Sequence, residues 1–354
     1  MLGSRARKMP AEVFLLASGS EARLGTRRHC RRWLWLLLLG ALSHAQVCQS
    51  AADMDASART ALEAAAERYF EMSARGDVAG LKQNSIPGVA ASFAGIEAAV
   101  KENQAAFAGA QATVRAPFLL TADGVEALPH AEFLCGVFGK SGQTEDSAVF
   151  VLNNLPPGKY GVAILDVNGG PAALTLTLVL QQAGSDWRLA GFYARSVQAA
   201  GHDAAWFSDH ARDFKAKSEN HNAWLYFREA ITLSAPVDFM STLATDKLYD
   251  ERQAVEPSDL PAGGNISDLS AGGKVYRLTE IFLLAVGNDV EVEVSYQAAD
   301  VSNTARTFQE NTAVSKALVA KFPEFRAAFA GVVARAVEPS GHDFSSLLAM
   351  KDVK

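Results

Sequence analysis

Leucine at every second position of the segment Leu174–Leu180 constrains the fold of this chain more than any other feature. The segment reads LTLTLVL, so its leucines project to one side of an extended strand and its threonines to the other. Such a strand predicts a sheet with one buried face and one solvated face. We therefore expect Leu176 and Leu178 to point into an apolar interior, and Thr175 and Thr177 to point away from it.

Six strand-like segments follow one another in this region, at residues 113–122, 131–139, 146–154, 159–167, 172–181 and 186–197. Turn signals such as Asn168-Gly169-Gly170 separate them, and short turns between successive strands indicate antiparallel neighbours. Residues 57–110, which precede them, are rich in alanine and have apolar residues at helical spacing. Helices followed by an antiparallel sheet predict an α+β fold.

Two short patterns lie within residues 58–197, under half of the chain. The first is Arg68-Tyr69-Phe70 with Gly76-Asp77-Val78 and Leu81, and the second is Leu176–Leu180 with Trp187–Phe192. They resemble the first helix and turn, and the last two strands, of the nuclear transport factor 2-like superfamily. The resemblance implies a curved antiparallel sheet that wraps around helices as a cone with an apolar pocket. The superfamily includes isomerases, dehydratases and non-catalytic binding or assembly modules, so the fold does not settle function.

If the cone is present, aromatic side chains would line its pocket: Tyr69, Phe93, Phe118, Phe133, Tyr160, Trp187 and Tyr193. Aromatic residues in apolar strands fill a core more often than they contact a ligand, so we favour core filling. A ligand of this pocket would be a small apolar molecule or a protein partner of unknown identity. We expect no cofactor.

Isomerase-like members of the superfamily need a carboxylate base and a donor that stabilises an enolate. Asp166, with Tyr160 and His130, is the candidate set in this sequence. Asp166 precedes a Val-Asn-Gly-Gly turn, where aspartate ordinarily hydrogen-bonds the backbone. We therefore expect its carboxylate to be solvent-accessible near a strand end and bound to that turn.

The N-terminal segment has the composition of a secretory signal. Arg31-Arg32 precedes the apolar run Trp33–Leu42, which is shorter than the roughly 20 residues that span a bilayer. Ser43 and Ala45 supply small residues for cleavage near Ala45. The sequence thus predicts export to the periplasm or the extracellular space, with no transmembrane span in the mature chain.

Export changes the charge of the protein. Of 33 basic and 39 acidic residues, eight basic and two acidic ones lie in residues 1–45, so the mature chain carries 25 against 37 and a net charge of −12. An acidic surface repels phosphate backbones, and nucleic acid is therefore excluded as an expected partner.

Three cysteines occur in the sequence, and Cys30 leaves with the signal. Cys48 and Cys135 remain, and a disulfide between them is possible in an oxidising compartment. Two other interpretations stay open. In the preferred interpretation, Cys135 is a small core residue in an apolar strand. In the other, Cys48 carries a lipid, although the bulky Val47 before it argues against that.

Residues 202–234 predict a helical hairpin that ends before Pro236 and resembles a single tetratricopeptide unit. His202, Trp206, Asp209 and Asp213 could share one helical face, but a metal site wants three convergent ligands, so we predict none. Capping of the helix by Asp203 is the preferred interpretation.

The predicted fold class is α+β: helices, a curved cone-shaped antiparallel sheet, a helical hairpin, and a second small α+β domain. The predicted boundaries are a leader at 1–45, a nuclear transport factor 2-like domain at 46–200, a helical connector at 201–255, a Pro/Gly-rich linker at 256–274 and the small domain at 275–354. The preferred function is an exported, non-catalytic binding or assembly module. The alternatives are an isomerase or hydrolase-like enzyme in the cone pocket, or an envelope scaffold.

Overall fold

A computed structural model describes residues 46–137, 143–262 and 264–354. The predicted leader therefore lies outside the described residues, as do positions 138 and 139 of the second predicted strand. The chain divides into two compact units. We call residues 46–194 with Pro236–Thr242 the N-terminal unit, and Arg195–Ala235 with Leu243–Lys354 the C-terminal unit.

The elements up to residue 196 are β1 (Gln46–Gln49), α1 (Ala56–Ala74), α2 (Val78–Gln83), α3 (Pro87–Ala91), α4 (Ala94–Glu102), α5 (Gln104–Phe107), β2 (Gln111–Val114), β3 (Phe118–Ala122), β4 (Leu128–Cys135), β5 (Ala148–Leu155), β6 (Gly158–Asn168), β7 (Leu174–Ala183) and β8 (Asp186–Ser196). The predicted strand 113–122 is two strands, because Pro117 lacks the N–H that a continuous ladder needs. The other five predicted strands are present, each within a few residues of its predicted bounds.

The remaining elements are β9 (Gln198–Ala199), β10 (His202–Asp203), α6 (Ala204–Ala216), α7 (Asn220–Ser234), β11 (Met240–Thr242), α8 (Leu243–Gln253), β12 (Ser267–Ala271), β13 (Lys274–Val286), β14 (Asp289–Gln297), α9 (Thr304–Lys321), α10 (Phe325–Ala328), β15 (Gly331–Val337), β16 (Asp343–Ala349) and a 3-10 turn at Met350–Asp352. The chain is thus α+β, as predicted. Within the described residues, no helix is both long enough and apolar enough to span a bilayer.

The N-terminal unit contains two sheets. The larger one has the order β1-β3-β6-β7-β8, with β2 also paired to β6, and the smaller one has the order β11-β5-β4. Helices α1 to α5 pack on one face of the larger sheet, where their apolar residues share a core with Leu176 and Leu178. We call this the helix-side core.

The opposite face of the larger sheet is also buried. Val162, Ile164 and Val179 share a second core with apolar residues of β4 and β5, which we call the sheet-side core. Leu176 and Leu178 therefore point inward as predicted, but the expectation of a solvated threonine face is wrong. Thr177 is fully buried, with its hydroxyl 3.4 Å from the Pro236 carbonyl, because the smaller sheet covers that face.

A disulfide joins the two sheets of this unit. Cys48 in β1 bonds to Cys135 in β4, with 5.1 Å between their Cα atoms. The same two strands are also connected by the Glu132 backbone N–H, which donates to Gln46 Oε1 at 2.7 Å. Of the three interpretations that the sequence left open, the structure has the disulfide. Cys48 therefore has no free thiol to carry a lipid.

The C-terminal unit is built on one sheet of order β12-β13-β14-β15-β16. β14 and β15 are parallel and joined through α9, whereas the other neighbouring strands are antiparallel. Helices α6, α7, α9 and α10 share one core with a single face of this sheet. Tyr226 of α7, for example, donates its hydroxyl proton to the Ala328 carbonyl at 2.7 Å.

This architecture differs from the predicted boundaries. The helical hairpin is part of the C-terminal core rather than a connector, and the predicted linker 256–274 contains strand β12. Leu260 and Leu269 of that segment are buried in the same core. Gly272 and Gly273, which indicated a flexible linker, form the two-residue hairpin turn between β12 and β13, with φ of +58° and +80°.

Candidate functional site

The predicted pocket aromatics lie in two different cores of the N-terminal unit. Tyr69, Phe93 and Trp187 are buried in the helix-side core. Phe118, Phe133 and Tyr160 are buried in the sheet-side core, with Tyr193 packed against it. Because the larger sheet separates the two cores, these seven side chains do not line one common pocket.

The polar atom of Tyr69 is already engaged. Its hydroxyl lies 2.8 Å from the Asn84 carbonyl and 2.9 Å from the Trp187 carbonyl, and burial raises the pKa of this phenol. These contacts connect α1 to the chain entering α3 and to β8. In this position Tyr69 stabilises the junction of helix and sheet.

The predicted catalytic candidates are not brought together. The Arg115 guanidinium donates hydrogen bonds to both carboxylate oxygens of Asp166, from Nε at 2.9 Å and from a terminal nitrogen at 2.5 Å. Tyr160 lies six residues away on the same strand, which is about 20 Å at 3.3 Å per residue. The expected bond from Asp166 to the following turn is replaced by this ion pair, because β2 places Arg115 beside β6.

Tyr160 and His130 have separate partners. The Tyr160 hydroxyl donates to the Pro156 carbonyl at 2.9 Å, and burial raises the pKa of Tyr160 to about 12. His130 is exposed on β4, in the smaller sheet, with Nδ1 3.2 Å from Asn153 Oδ1. The three side chains therefore form no acid–base set in this structure.

The histidine-rich helix start is arranged as the capping interpretation predicts. Asp203 Oδ1 accepts a hydrogen bond from the Trp206 backbone N–H at 2.9 Å and caps α6. The rings of His202 and His210 stack on the two sides of Trp206, each at 3.8 Å between centroids. In the part of the chain that the structure describes, no group of three or more His, Cys, Asp or Glu side chains could hold a metal.

A different set of polar residues lies on the C-terminal sheet. Alternate residues of β14 between Val292 and Tyr296 lie in the core. Glu291, Glu293 and Ser295 therefore lie on the opposite face of the sheet. All three of these residues are buried.

The strand register adds further charged residues to this face. Glu280 of β13 and Arg335 of β15 both lie opposite Ser295, and Asp343 of β16 lies opposite Val337. We use the name acidic face for five of the charged residues on this side of the sheet: Glu280, Glu291, Glu293, Arg335 and Asp343. Within this set, four carboxyl groups accompany one guanidinium.

Glu291 is the most unusual residue of the acidic face. Its side chain is only 4% exposed, and Oε2 has no hydrogen-bond partner among the described residues. A Cβ placed on Gly331 would stand 2.7 Å from this oxygen and 2.7 Å from the Leu348 carbonyl. The glycine therefore allows the carboxyl group to approach the backbone of β15 closely.

Glu293 is 6% exposed and only partly compensated. Its Oε1 lies 3.6 Å from Arg335 Nη1, which is within ion-pair distance but too long for a hydrogen bond. Arg335 instead donates through Nε to Asp343 at 2.8 Å. Burial raises the pKa of Glu293, and the nearby Arg335 opposes that shift.

Burial, followed by repulsion from the Asp289 carboxylate, raises the pKa of Glu291 to about 7. The group is therefore poised to exchange a proton near neutral pH. In its ionised form it is a buried anion without a partner, which is a costly arrangement unless a cation is supplied. A strongly shifted carboxyl group of this kind is a physical marker of a functional site.

Sequence reasoning missed this site. The segment from Asp289 to Ser295 reads DVEVEVS, which is the ordinary pattern of a strand with one solvated face. The pattern places both glutamates on one side of the strand but carries no signal that this side is buried.

Replacing Glu291 with Gln should flatten the dependence of stability on pH. As pH rises from about 4.5 to about 7, the unfolded chain releases the Glu291 proton while the folded chain keeps it, so wild-type stability falls. At 1.36 kcal/mol per pKa unit, the loss is about 3 kcal/mol and is complete above pH 7. Urea unfolding at pH 4–8 measures it, and Asp268→Asn, an exposed acid on β12 of the same sheet, is the matched control. Equal pH profiles for wild type and Glu291→Gln would contradict the assignment.

The comparisons with known proteins give no identity. The chain matches no family model, no curated protein and no solved structure.

Proposed function

We propose that this protein is an exported, non-catalytic binding module whose acidic face receives a basic side chain of a protein partner. The observation that carries the proposal is Glu291, a carboxyl group more than nine-tenths buried with one oxygen lacking a hydrogen-bond partner in the described chain. An ammonium or guanidinium group would supply both the missing hydrogen bonds and the opposite charge.

The surroundings of Glu291 favour a long basic side chain over a free inorganic cation. The register places Phe282, Leu284, Val333 and Leu347 on the same side of the sheet as the two glutamates. Lysine and arginine bury their methylene stems on apolar surface of this kind while the charged end finds a partner. The guanidinium of Arg335 is already bonded to Asp343.

One partly exposed side chain, that of Leu347, lies beside the buried oxygen of Glu291. The Cβ position at Gly331 lies 2.7 Å from Glu291 Oε2 and 2.9 Å from Leu347 Cδ1, so the leucine side chain is next to the carboxyl group. Leu347 is 37% exposed. A change of its rotamer would open the carboxyl group to a ligand without moving the backbone.

Export is supported by the disulfide as well as by the leader sequence. Disulfides form and persist mainly in oxidising compartments, and Cys48 and Cys135 are bonded in this structure. The proposal therefore places the protein in the periplasm or outside the cell.

The enzymatic alternative has less support. It required a carboxylate and a donor that converge in one pocket, whereas Asp166 is held by Arg115 and lies about 20 Å along β6 from Tyr160. The envelope scaffold tethered through Cys48 also has less support, because that sulfur is bonded to Cys135.

Calorimetric titration with a lysine-containing tetrapeptide, capped at both ends, tests the proposed function. We expect binding at low salt that weakens at least tenfold when the lysine is acetylated and at least tenfold in Glu291→Gln. At pH 6.5 binding should also release a proton, because the ligand requires ionised Glu291; this is measured by comparing buffers of different ionisation enthalpy. Asp268→Asn should bind like the wild type. The proposal would be rejected if wild type and Glu291→Gln bound the peptide with equal affinity, or if only the acetylated peptide bound.

A further inference from the structure

A shallow groove lies beside the end of β12, at one edge of the C-terminal sheet. β12 is the end strand of that sheet and pairs only with β13 among the described strands. The groove has a volume of about 510 Å³ and lies between β12 and α9. Its strand side is formed by Ser270, Ala271 and Gly272.

The helix side of the groove is made of small residues. Ala313, Ala317 and Ala320 of α9 line it at the spacing that places them on one helical face. Ala320 is exposed and Ala313 is half-buried. Because alanine side chains are short, the surface of α9 near the strand edge lies close to the helix backbone. Such a surface leaves room for another backbone between the helix and the strand.

The edge itself lacks most of the features that block strand pairing. Proteins commonly protect an edge strand with lysine, proline or a bulge. The residues of β12, Ser267–Ala271, include neither lysine nor proline, and their pairing with β13 is continuous. Because β12 pairs only with β13 among the described strands, the N–H and C=O groups on its other edge have no strand partner there.

The charge of the groove specifies the occupant. Among the described residues, the charged ones that line it are Lys316 and Lys354, and none of its described lining residues is acidic. We infer that this groove binds an extended peptide of a protein partner by strand addition to β12, with a peptide carboxylate directed to Lys316. Main-chain hydrogen bonds supply affinity in this mode of recognition. Lys316 selects peptides that carry a carboxylate, either at the C-terminal end or on a side chain.

An eight-residue peptide of alternating valine and threonine tests the inference, prepared with a free C-terminal carboxylate and as its amide. Fluorescence anisotropy with the full chain should show at least tenfold tighter binding of the carboxylate form. Lys316→Glu should remove this preference, whereas Lys247→Glu, the same charge change on exposed α8, should retain it. Ala320→Leu should weaken both peptides at least tenfold by filling the groove.

Two versions of the peptide, N-methylated at odd or at even positions, separate strand addition from ionic contact. An added strand uses the N–H groups of alternate residues, so one version should lose binding and the other should keep it. Equal binding of both versions would overturn strand addition. Failure of the peptides to bind, with dimerisation that is lost in Lys316→Glu, would instead assign the groove to a second copy of the chain and overturn the inference.

Discussion

Removing the Cys48–Cys135 disulfide should lower the free energy of unfolding of the N-terminal unit by about 4 kcal/mol. The bond spans 87 residues of sequence, and closing a loop of that length removes a large part of the conformational entropy of the unfolded chain. It also holds β1 against β4, across the two sheets. The physical cause is therefore the restriction of the unfolded state together with the loss of a link between two layers.

Urea unfolding of the oxidised wild type, the reduced wild type and the double variant Cys48→Ala/Cys135→Ala measures this effect. The reduced protein and the double variant should unfold at similarly low urea concentrations, and reductant should not shift the double variant. An unchanged midpoint on reduction of the wild type would show that the disulfide contributes nothing to stability.

Leu178→Ala should destabilise the N-terminal unit by roughly 2–5 kcal/mol. Leu178 is fully buried in β7, between the strands β6 and β8 and under the helices of the helix-side core. Truncation removes three carbon atoms from a close-packed site that the surrounding sheet cannot collapse to fill. The loss of transfer free energy and the remaining cavity both contribute.

Thr177→Val is the matched comparison on the other face of the same strand. Thr177 is equally buried, but its hydroxyl makes a long contact of 3.4 Å to the Pro236 carbonyl, and valine nearly conserves its volume. We expect a change below about 1 kcal/mol, within the range for loss of one weak hydrogen bond. Thermal unfolding of both variants measures the difference. Equal losses would contradict the expectation that the cavity left at position 178 costs more than the loss of the Thr177 hydroxyl group.

The strands of the N-terminal unit were predictable because their signals are local. Alternation and turn residues act over ten residues or fewer, and five of the six predicted strands correspond to β4 through β8. The prediction of a solvated face was wrong, because alternation shows which residues lie on each face of a strand and not what covers those faces. Thr177 faces the smaller sheet. Threonine carries no charge, so it can be buried there without an ionic partner.

The C-terminal unit shows the limit of turn residues as signals. The pair Gly272-Gly273 is equally compatible with a flexible linker and with a tight hairpin turn. Which of the two they form depends on whether the five residues before them find a neighbouring strand. Leu269, buried between β12 and the helices, decided that outcome through contacts far along the chain.

For function, the sequence determined the residue types and the strand side on which Glu291 and Glu293 stand, and it predicted a leader that implies export. Only the tertiary structure buried that side, paired Asp166 with Arg115, joined Cys48 to Cys135 and left Glu291 Oε2 without a partner in the described chain. Each of these outcomes depends on the desolvation and pairing of groups that lie tens of residues apart, such as Glu291 with Gly331 and Leu347. Periodicity over a few residues carries no information about such contacts, because burial is a property of the assembled sheet and not of any one strand.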